Sequence, residues 1–320
     1  MSQNCPLSLL YYYLELMQRI LLCKNTPSPL VAHLYEHMVM NQLKRQAYWA
    51  NLLRQIDYFA LGTHYSGAGF ITIDLDLYTT EAISLISTLG WLHVQISDAA
   101  LQLAMQQIAA ETGQVISCND SAQLKKDIAI TDSTTWQQIE KISRPITIAY
   151  PAERSYLCEV ARSDLSISQV SYTLKKPLPT NPALLPLFHY LASAVHSTVA
   201  DLASYQLGYY HLGDQFTKTH SHLLSTTTFT VLSHHVNDAA VRQMYHNTLV
   251  SIVEEPTLSR IIRRLTSFSY SDGRMDVPDI DTHILELGTI IGESTWRQLA
   301  TKETICSLFD DVIVNYIAPQ

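Results

Sequence analysis

Two segments of the chain alternate strictly between apolar and polar residues. The first covers residues 70–78, and the second covers residues 167–174 in the other half of the chain. A period of two residues is the pattern of a half-buried β-strand. Residues 18–23 predict a third strand. Residues 61–69 contain three glycines and predict a turn-rich loop that leads into the first alternating segment.

A helix is predicted after the strand at residues 18–23. Ser28 is a favourable N-cap, and Pro29 suits the first helical position. From there to Arg45 no glycine or proline interrupts the chain, and apolar residues recur at four-residue intervals. That spacing places them on one face of a helix.

A second helix is predicted at residues 97–112, with Ser97 or Asp98 as its N-cap. Its apolar residues recur at steps of three and four, and Glu111 continues that seam. A carboxylate on an apolar seam needs a partner or a metal ion. The alternative is that the seam ends at Ile108 and that Glu111 extends into solvent.

The remaining segments repeat the same order of elements in both halves of the chain. Strand, helix, strand, helix, helix occurs on each side of residue 163, which predicts an α+β fold with two domains, residues 1–163 and 164–320. The other predicted helices cover residues 48–58, 80–92, 121–142, 151–162, 181–205, 237–255 and a segment ending at 268, and the other predicted strands cover residues 145–150 and 217–233.

Composition limits the class of protein. The chain has 320 residues, of which 47% are hydrophobic and 16% charged, so it is globular and long enough for two domains. A formal net charge of −8 argues against a nucleic-acid-binding protein, which would show a basic face. No run of about 18 apolar residues is present, so we expect no membrane span. The first residues lack the basic stretch of a signal peptide, and we expect a cytoplasmic protein.

The five cysteines are odd in number and scattered along the chain. We expect them to be buried thiols in a reducing compartment rather than a disulfide framework. None is paired at metal-ligand spacing, so any zinc ion must be bound by histidine and carboxylate side chains.

The candidate chemistry lies in the first predicted helix, where His33, Glu36 and His37 form an H-x-x-E-H motif. The two histidines are four residues apart, so both imidazoles leave the same helix face. Two neutral imidazoles can supply two ligands of a tetrahedral zinc site. Glu36 lies within one turn of both and can act as the general base of a metal-assisted hydrolysis without being a ligand. The alternative is a helix with two partly exposed histidines.

The motif resembles that of the pitrilysin, insulin-degrading enzyme and mitochondrial processing peptidase family of inverzincins. In that family a glutamate on a later helix is the third zinc ligand, and Glu111, which follows His37 by 74 positions, matches its spacing. The resemblance implies one Zn²⁺ per chain, bound by His33, His37 and Glu111. It also implies two consecutive pitrilysin-type α/β sandwich domains, each a mostly antiparallel sheet with helices packed on one face.

The resemblance extends to a substrate site. The predicted loop at residues 61–69 and the strand after it are similar to the family's edge-strand region, where an extended peptide adds to the sheet. The substrate-binding residues that this implies are Thr63, His64, Tyr65, Ser66 and Phe70.

A second similarity lies at residues 206–209, which resemble the end of a family segment where an arginine and a tyrosine hold the substrate backbone. Tyr209 matches the tyrosine and is expected to hydrogen-bond the developing oxyanion from the second domain. Leu202 occupies the arginine position, and Ala104 occupies the position of a second family carboxylate. The alternative is that Tyr209 is a structural residue between a helix and a strand.

These features predict a zinc-dependent endopeptidase in which Glu36 is the general base. The resemblance implies that the substrates are peptides or leader segments, cleaved in an enclosed chamber. A homodimer, or a heterodimer with a family partner, would complete that chamber. The alternative is a non-catalytic family subunit that binds peptide or supports an active partner. Leu202 favours this alternative, whereas the intact motif and Glu111 oppose it.

Overall fold

The structure is a computed structural model of the chain. It describes residues 18–50, 52, 59–66, 70–77, 93–118, 120–134, 136–138, 158–162, 166–267 and 293–317. The predicted α+β class is confirmed. The chain divides into two compact units, of which the first comprises Met1–Ala50 and Asp57–Asp164 and the second comprises Asn51–Ile56 and Leu165–Gln320.

The first unit contains a four-stranded antiparallel sheet. Its strands are β1 (Gln18–Asn25), β2 (Phe59–Ser66), β3 (Phe70–Leu77) and β5 (Gln137–Gln138), in the order β2-β3-β1-β5. A separate antiparallel pair joins β4 (Gln114–Cys118) to β6 (Cys158–Arg162). Among the described strands β2 has β3 as its single neighbour, so β2 is an edge strand of the sheet.

Three helices of this unit are described: α1 (Pro29–Trp49), α2 (Asp98–Thr112) and α3 (Ser121–Ser133). Helix α1 contacts β2 and β3, and both α2 and α3 contact α1. Val31, Leu34 and Val39 of α1 are fully buried. Helix α1 therefore lies at the centre of the unit, and it fixes where α2 sits.

The second unit has its own antiparallel sheet and its own core. The strands are β7 (Ile167–Pro177), β8 (Tyr210–Lys218), β9 (His222–Leu232) and β10 (Ile313–Ile317), in the order β10-β7-β9-β8. The helices are α4 (Leu184–Leu207), α5 (Asp238–Val253), α6 (Thr257–Ser267), α7 (Glu293–Leu299) and α8 (Lys302–Phe309), with a 3-10 turn at Ser233–His235. Val170, Tyr172 and Leu174 of β7 share one hydrophobic core with the five helices that the structure describes in this unit.

Several predicted elements are confirmed with shifted ends. The strands predicted at 18–23, 70–78 and 167–174 are β1, β3 and β7. The helices predicted after Ser28, Ser97, Asn181 and Asn237 are α1, α2, α4 and α5, and the helix ending near 268 is α6. The capping residues were informative because Ser28, Ser97 and Asn237 each accept a hydrogen bond from a backbone N–H of the first helical turn.

The predicted loop at residues 61–69 is wrong for residues 61–66, which belong to β2. Each of them pairs with a residue of β3, ending with Ser66 opposite Phe70. A glycine such as Gly62 weakens a strand without excluding it, and here backbone pairing with β3 outweighs the local turn signal.

Other boundaries are wrong where a distant strand supplies the pairing. Residues 158–162 were predicted as helix but form β6, in which Cys158 lies opposite Cys118. The predicted helix at 121–142 ends at Ser133, and Gln137 then pairs with Cys23. Tyr48 and Trp49 complete α1 instead of opening a new helix.

The strand predicted at 217–233 is β9 over residues 222–232, but residues 217 and 218 end β8, and a turn at residues 219–221 joins the two strands. The Thr219 hydroxyl oxygen accepts hydrogen bonds from the backbone N–H groups of Ser221 and His222 and so closes this turn. A threonine turn carries a weaker sequence signal than glycine or proline.

Some predictions lie outside the described residues. These are the helix at 80–92, the strand at 145–150 and most of the helix at 48–58. Residues 67–69 of the predicted loop and residues 151–157 of the predicted helix also lie outside. Of the helices that the structure describes, none is both long and apolar enough to cross a membrane.

Candidate metal centre

Helix α1 presents the two motif histidines on one face. Its start is fixed by Ser28, whose hydroxyl oxygen accepts a hydrogen bond of 3.2 Å from the Val31 N–H, and by Pro29 in the first turn. One turn separates His33 from His37, and their Nε2 atoms lie 3.3 Å apart. Both imidazoles therefore turn the same nitrogen towards the same point.

Helix α2 brings Glu111 to that point. The Ser97 hydroxyl oxygen caps its start, and Gly113 ends it in the left-handed conformation at φ 70°, where its N–H donates to the Ala109 carbonyl oxygen. Glu111 thus lies in the last turn of α2. Its Oε2 atom is 3.4 Å from His33 Nε2 and 3.1 Å from His37 Nε2.

The three donor atoms fit a tetrahedral metal ion. Zinc lies about 2.0–2.2 Å from nitrogen and oxygen ligands, so neighbouring ligand atoms of a tetrahedral site are roughly 3.3 Å apart. The observed separations of 3.1, 3.3 and 3.4 Å form a triangle of that size. Of the described residues, His33, His37 and Glu111 are the group of histidine, cysteine and carboxylate side chains that could hold a metal ion. Two imidazoles and one carboxylate are also a donor set that zinc accepts.

Exposure increases across the triangle. The side chain of His33 is 9% exposed, that of His37 is 14% exposed and that of Glu111 is 32% exposed. The site is therefore anchored in the protein on the His33 side and open to solvent on the Glu111 side. A catalytic zinc site needs such an open position, whereas a structural site is closed by four protein ligands.

The environment favours an ionised Glu111. Hydrogen bonds from His33 and then from His37 lower the pKa of its carboxyl group to about 2, against a smaller opposing effect of burial. The side chain is therefore a carboxylate at neutral pH, which is the form that binds a metal ion.

Glu36 lies one residue before His37 in the same turn of α1 and is partly exposed. It is not a member of the triangle. Its role as general base stays a prediction.

A buried polar network supports the opposite side of α1. The Tyr35 hydroxyl donates to Asp132 Oδ1 at 2.8 Å, and the Val94 N–H donates to the same oxygen at 3.0 Å. The Lys24 ammonium donates to the Tyr35 hydroxyl oxygen and to the Asp132 carbonyl oxygen, and burial lowers its pKa to about 8. His93 Nδ1 lies 3.1 Å from Asp132 Oδ2. The network joins β1, α1 and α3 behind the histidines.

Sequence reasoning did not find this network or a buried amide pair, Asn41 with Gln107, beside the triangle. The signal for the amides was present in the spacing. Asn41 follows His37 by four residues, and Gln107 precedes Glu111 by four. A polar residue that lies on the same helix face as a metal ligand and is buried against another helix needs a polar partner on that helix.

The predicted substrate-binding residues lie on two paired strands. Thr63, His64, Tyr65 and Ser66 belong to β2, and Phe70 begins β3 directly opposite Ser66. The backbone of β2 is at the edge of the described sheet, and α1 contacts the same strand. Peptide binding there stays a prediction.

Tyr209 belongs to the second unit and is fully buried. Its hydroxyl oxygen accepts a hydrogen bond of 2.7 Å from the Asn237 N–H, and the hydroxyl lies 3.4 Å from the His235 carbonyl oxygen. These contacts join the start of β8 to the start of α5. Leu202 is also buried, in the core of the same unit. Its role at an oxyanion stays a prediction.

No family model matches the chain, and no curated protein matches it. Among solved structures the chain is similar to the ferredoxin protease FusC, in complex with Arabidopsis ferredoxin, at 12% identity and a TM-score of 0.32. It is also similar to the periplasmic protease PqqL from Escherichia coli, at 12% identity and a TM-score of 0.30, and to a predicted insulinase family protease from Yersinia pestis, at 12% identity and a TM-score of 0.31.

These matches cover 95%, 96% and 95% of this chain, and 42%, 43% and 87% of the FusC, PqqL and Yersinia chains. The chain therefore spans less than half the length of the first two. TM-scores of this size do not establish a shared fold.

Proposed function

We propose that this protein is a zinc-dependent peptidase whose metal ligands are His33, His37 and Glu111. The observation that carries the proposal is the triangle of donor atoms, with separations of 3.1, 3.3 and 3.4 Å, on one solvent-open side of α1 and α2. The H-x-x-E-H order and the spacing to Glu111 resemble those of the inverzincin peptidases and support the same reaction class.

Zinc bound by these three side chains would supply a Lewis acid and lower the pKa of water towards ~7. The protein's own part is proton transfer. A carboxylate oxygen of Glu36 accepts a proton from the attacking water as the new C–O bond to the scissile carbonyl forms. The same oxygen then delivers that proton to the amide nitrogen as the C–N bond breaks.

An extended peptide is the substrate class that the sheet supports. The backbone of β2 has an unpaired side among the described strands, and a peptide can extend the sheet there through main-chain hydrogen bonds. Helix α1 contacts β2, so a peptide strand on that edge lies within the unit that carries the triangle. We further propose pitrilysin-type domains, with a second copy or a family partner completing the chamber.

The second candidate is a non-catalytic subunit that binds peptide without cleaving it. Two observations favour it: Leu202 stands where the family carries arginine, and the Tyr209 hydroxyl bonds within the second unit. The complete motif and the converging Glu111 carboxylate favour the enzyme.

One experiment separates the two candidates. Purified protein is analysed for zinc and then incubated with a library of fluorogenic peptides, with and without chelator, alone and with candidate partner chains. The peptidase proposal expects about one zinc per chain and hydrolysis that chelator stops and added zinc restores. Zinc binding without hydrolysis under every condition would leave the binding subunit as the function. Absence of zinc binding would overturn the metal site itself.

A further inference from the structure

Two buried amides face each other across the interface between α1 and α2. Asn41 Nδ2 donates to Gln107 Oε1 at 2.8 Å, and Gln107 Nε2 donates to Asn41 Oδ1 at 2.8 Å. Asn41 is 8% exposed and Gln107 is 2% exposed. Each amide therefore satisfies the other in a place where water has little access.

The amide pair lies one helical turn from the metal triangle on both helices. Asn41 follows His37 by one turn, and Gln107 precedes Glu111 by one turn. The pairing partners therefore advance along α1 as they go back along α2, so the two helices run antiparallel at this contact. Residues four apart lie on one helix face, so the amide pair and the His37–Glu111 contact are consecutive steps of the same interface.

Apolar packing alone defines the register of this interface poorly. The neighbouring residues Met38, Ala104 and Ile108 are buried and apolar, and such side chains can pack in more than one longitudinal register. The amides can pair in one register only. A slip by one turn, about 5.4 Å, would separate the two amides from each other and carry Glu111 out of reach of His37.

We infer that Asn41 and Gln107 are positioning residues that hold Glu111 in register with His33 and His37. This inference rests on the proposed metal site and adds the device that aligns its third ligand. A buried polar pair that fixes the register of an apolar helix interface is a known use of such pairs. Groups that orient metal ligands from outside the ligand set change metal affinity by about 10–100-fold when they are removed.

The test replaces the amides with apolar side chains of nearly the same shape, Asn41→Leu with Gln107→Met. Metal affinity is measured with zinc and with cobalt(II), whose absorption spectrum reports tetrahedral coordination. Unfolding of the metal-free protein is measured separately. We expect a 10–100-fold loss of zinc affinity and an altered cobalt spectrum, with no loss of metal-free stability.

The matched control exchanges the two amides, Asn41→Gln with Gln107→Asn, and is expected to keep most of the affinity. Wild-type affinity in the Leu/Met variant would overturn the inference and leave the metal site standing. Equal losses in the exchanged and Leu/Met variants would also overturn it, because pairing would then not be the cause. A wild type that binds no metal would instead refute the proposed function. If the Leu/Met variant does not fold, Gln107→Met alone is measured with the same two outcomes.

Discussion

The Nε2 atom of His37 lies 3.1 Å from Oε2 of Glu111, although 74 positions separate the two residues in the sequence. The contact forms because α1 and α2 pack against each other and each helix end is capped. Every prediction about the candidate metal centre depends on this contact.

We expect the wild type to bind about one zinc per chain and the variant His33→Ala with His37→Ala to bind none. Both imidazoles are needed because zinc in such a site takes three protein ligands. Metal analysis after dialysis checks the result. The exposed histidine His246, changed to alanine, is the control for nonspecific loss. Stoichiometric zinc in the double variant would mean that the ion binds elsewhere.

Glu111→Gln should weaken zinc binding while the fold persists. A neutral amide is a poor zinc ligand, whereas hydrogen bonds from His33 and His37 lower the pKa of Glu111 and keep it a carboxylate. Competition with a coloured chelator measures the change in affinity. The exposed Glu254 in the other unit, changed to glutamine, controls for the loss of one negative charge. Unchanged affinity in Glu111→Gln would require a different third ligand.

The fold around the site was predictable as far as local signals reach. The motif spacing, the serine caps and the apolar seams identify α1 and α2 and place His33, His37 and Glu111 on their faces. The convergence of the helices came from the family resemblance, because no local pattern states which two helices meet.

Contacts formed by distant segments could not be predicted in this way. The backbone pairing of β6 with β4, in which Cys158 lies opposite Cys118, depends on the whole unit. Residues 158–162 were therefore wrongly predicted as helix. Asn41 and Gln107 are 66 positions apart in the sequence, and their pairing depends on the register of the two helices that carry them. Local periodicity gives the face of a residue but not its partner.

Asp132→Ala should lower the free energy of unfolding by about 3 kcal/mol, because it leaves the Tyr35 hydroxyl and the Val94 N–H without their buried acceptor and Lys24 without its countercharge. Denaturant titration measures the change. The exposed Asp98, which pairs with Lys125, is the matched control, and its change to alanine should cost less than about 1 kcal/mol. Equal effects of the two substitutions would contradict a supporting role for the network behind α1.

His196 should make the second unit sensitive to acid. It is fully buried, its Nδ1 lies 2.7 Å from the Tyr245 hydroxyl oxygen, and burial lowers its pKa from 6.5 to about 4. Between pH 6.5 and about pH 4, His196 takes up a proton in the unfolded chain but not in the folded chain. Full stability is therefore present above pH 6.5 and is lost as the pH falls towards 4, by on the order of 3 kcal/mol.

The measurement is the free energy of unfolding against pH for the wild type and for His196→Gln, which does not titrate. We expect a flatter curve between pH 4 and 6.5 for the variant. His246→Gln on the surface of α5 should leave the wild-type slope unchanged. Parallel curves for the wild type and His196→Gln would show that other groups cause the acid sensitivity.

Glu36→Gln separates the enzyme from the binding subunit. Glu36 is not a member of the ligand triangle, so the variant should keep its fold and its zinc. Glutamine has nearly the same shape as glutamate but cannot accept a proton at neutral pH. Peptide hydrolysis should therefore fall by about 10²–10⁴-fold, which is the usual effect of losing a general base.

Binding of intact peptide should survive in Glu36→Gln, and calorimetry with a peptide that the wild type cleaves would measure it. Loss of zinc in this variant would mean that Glu36 is a ligand and that the division of roles between Glu36 and Glu111 is wrong. Equal cleavage by the wild type and Glu36→Gln would assign the activity to a contaminant or to another site. Because the substitution leaves His33, His37 and Glu111 in place, a selective loss of hydrolysis with zinc and peptide binding retained is the result expected of a Glu36 carboxylate that transfers the proton.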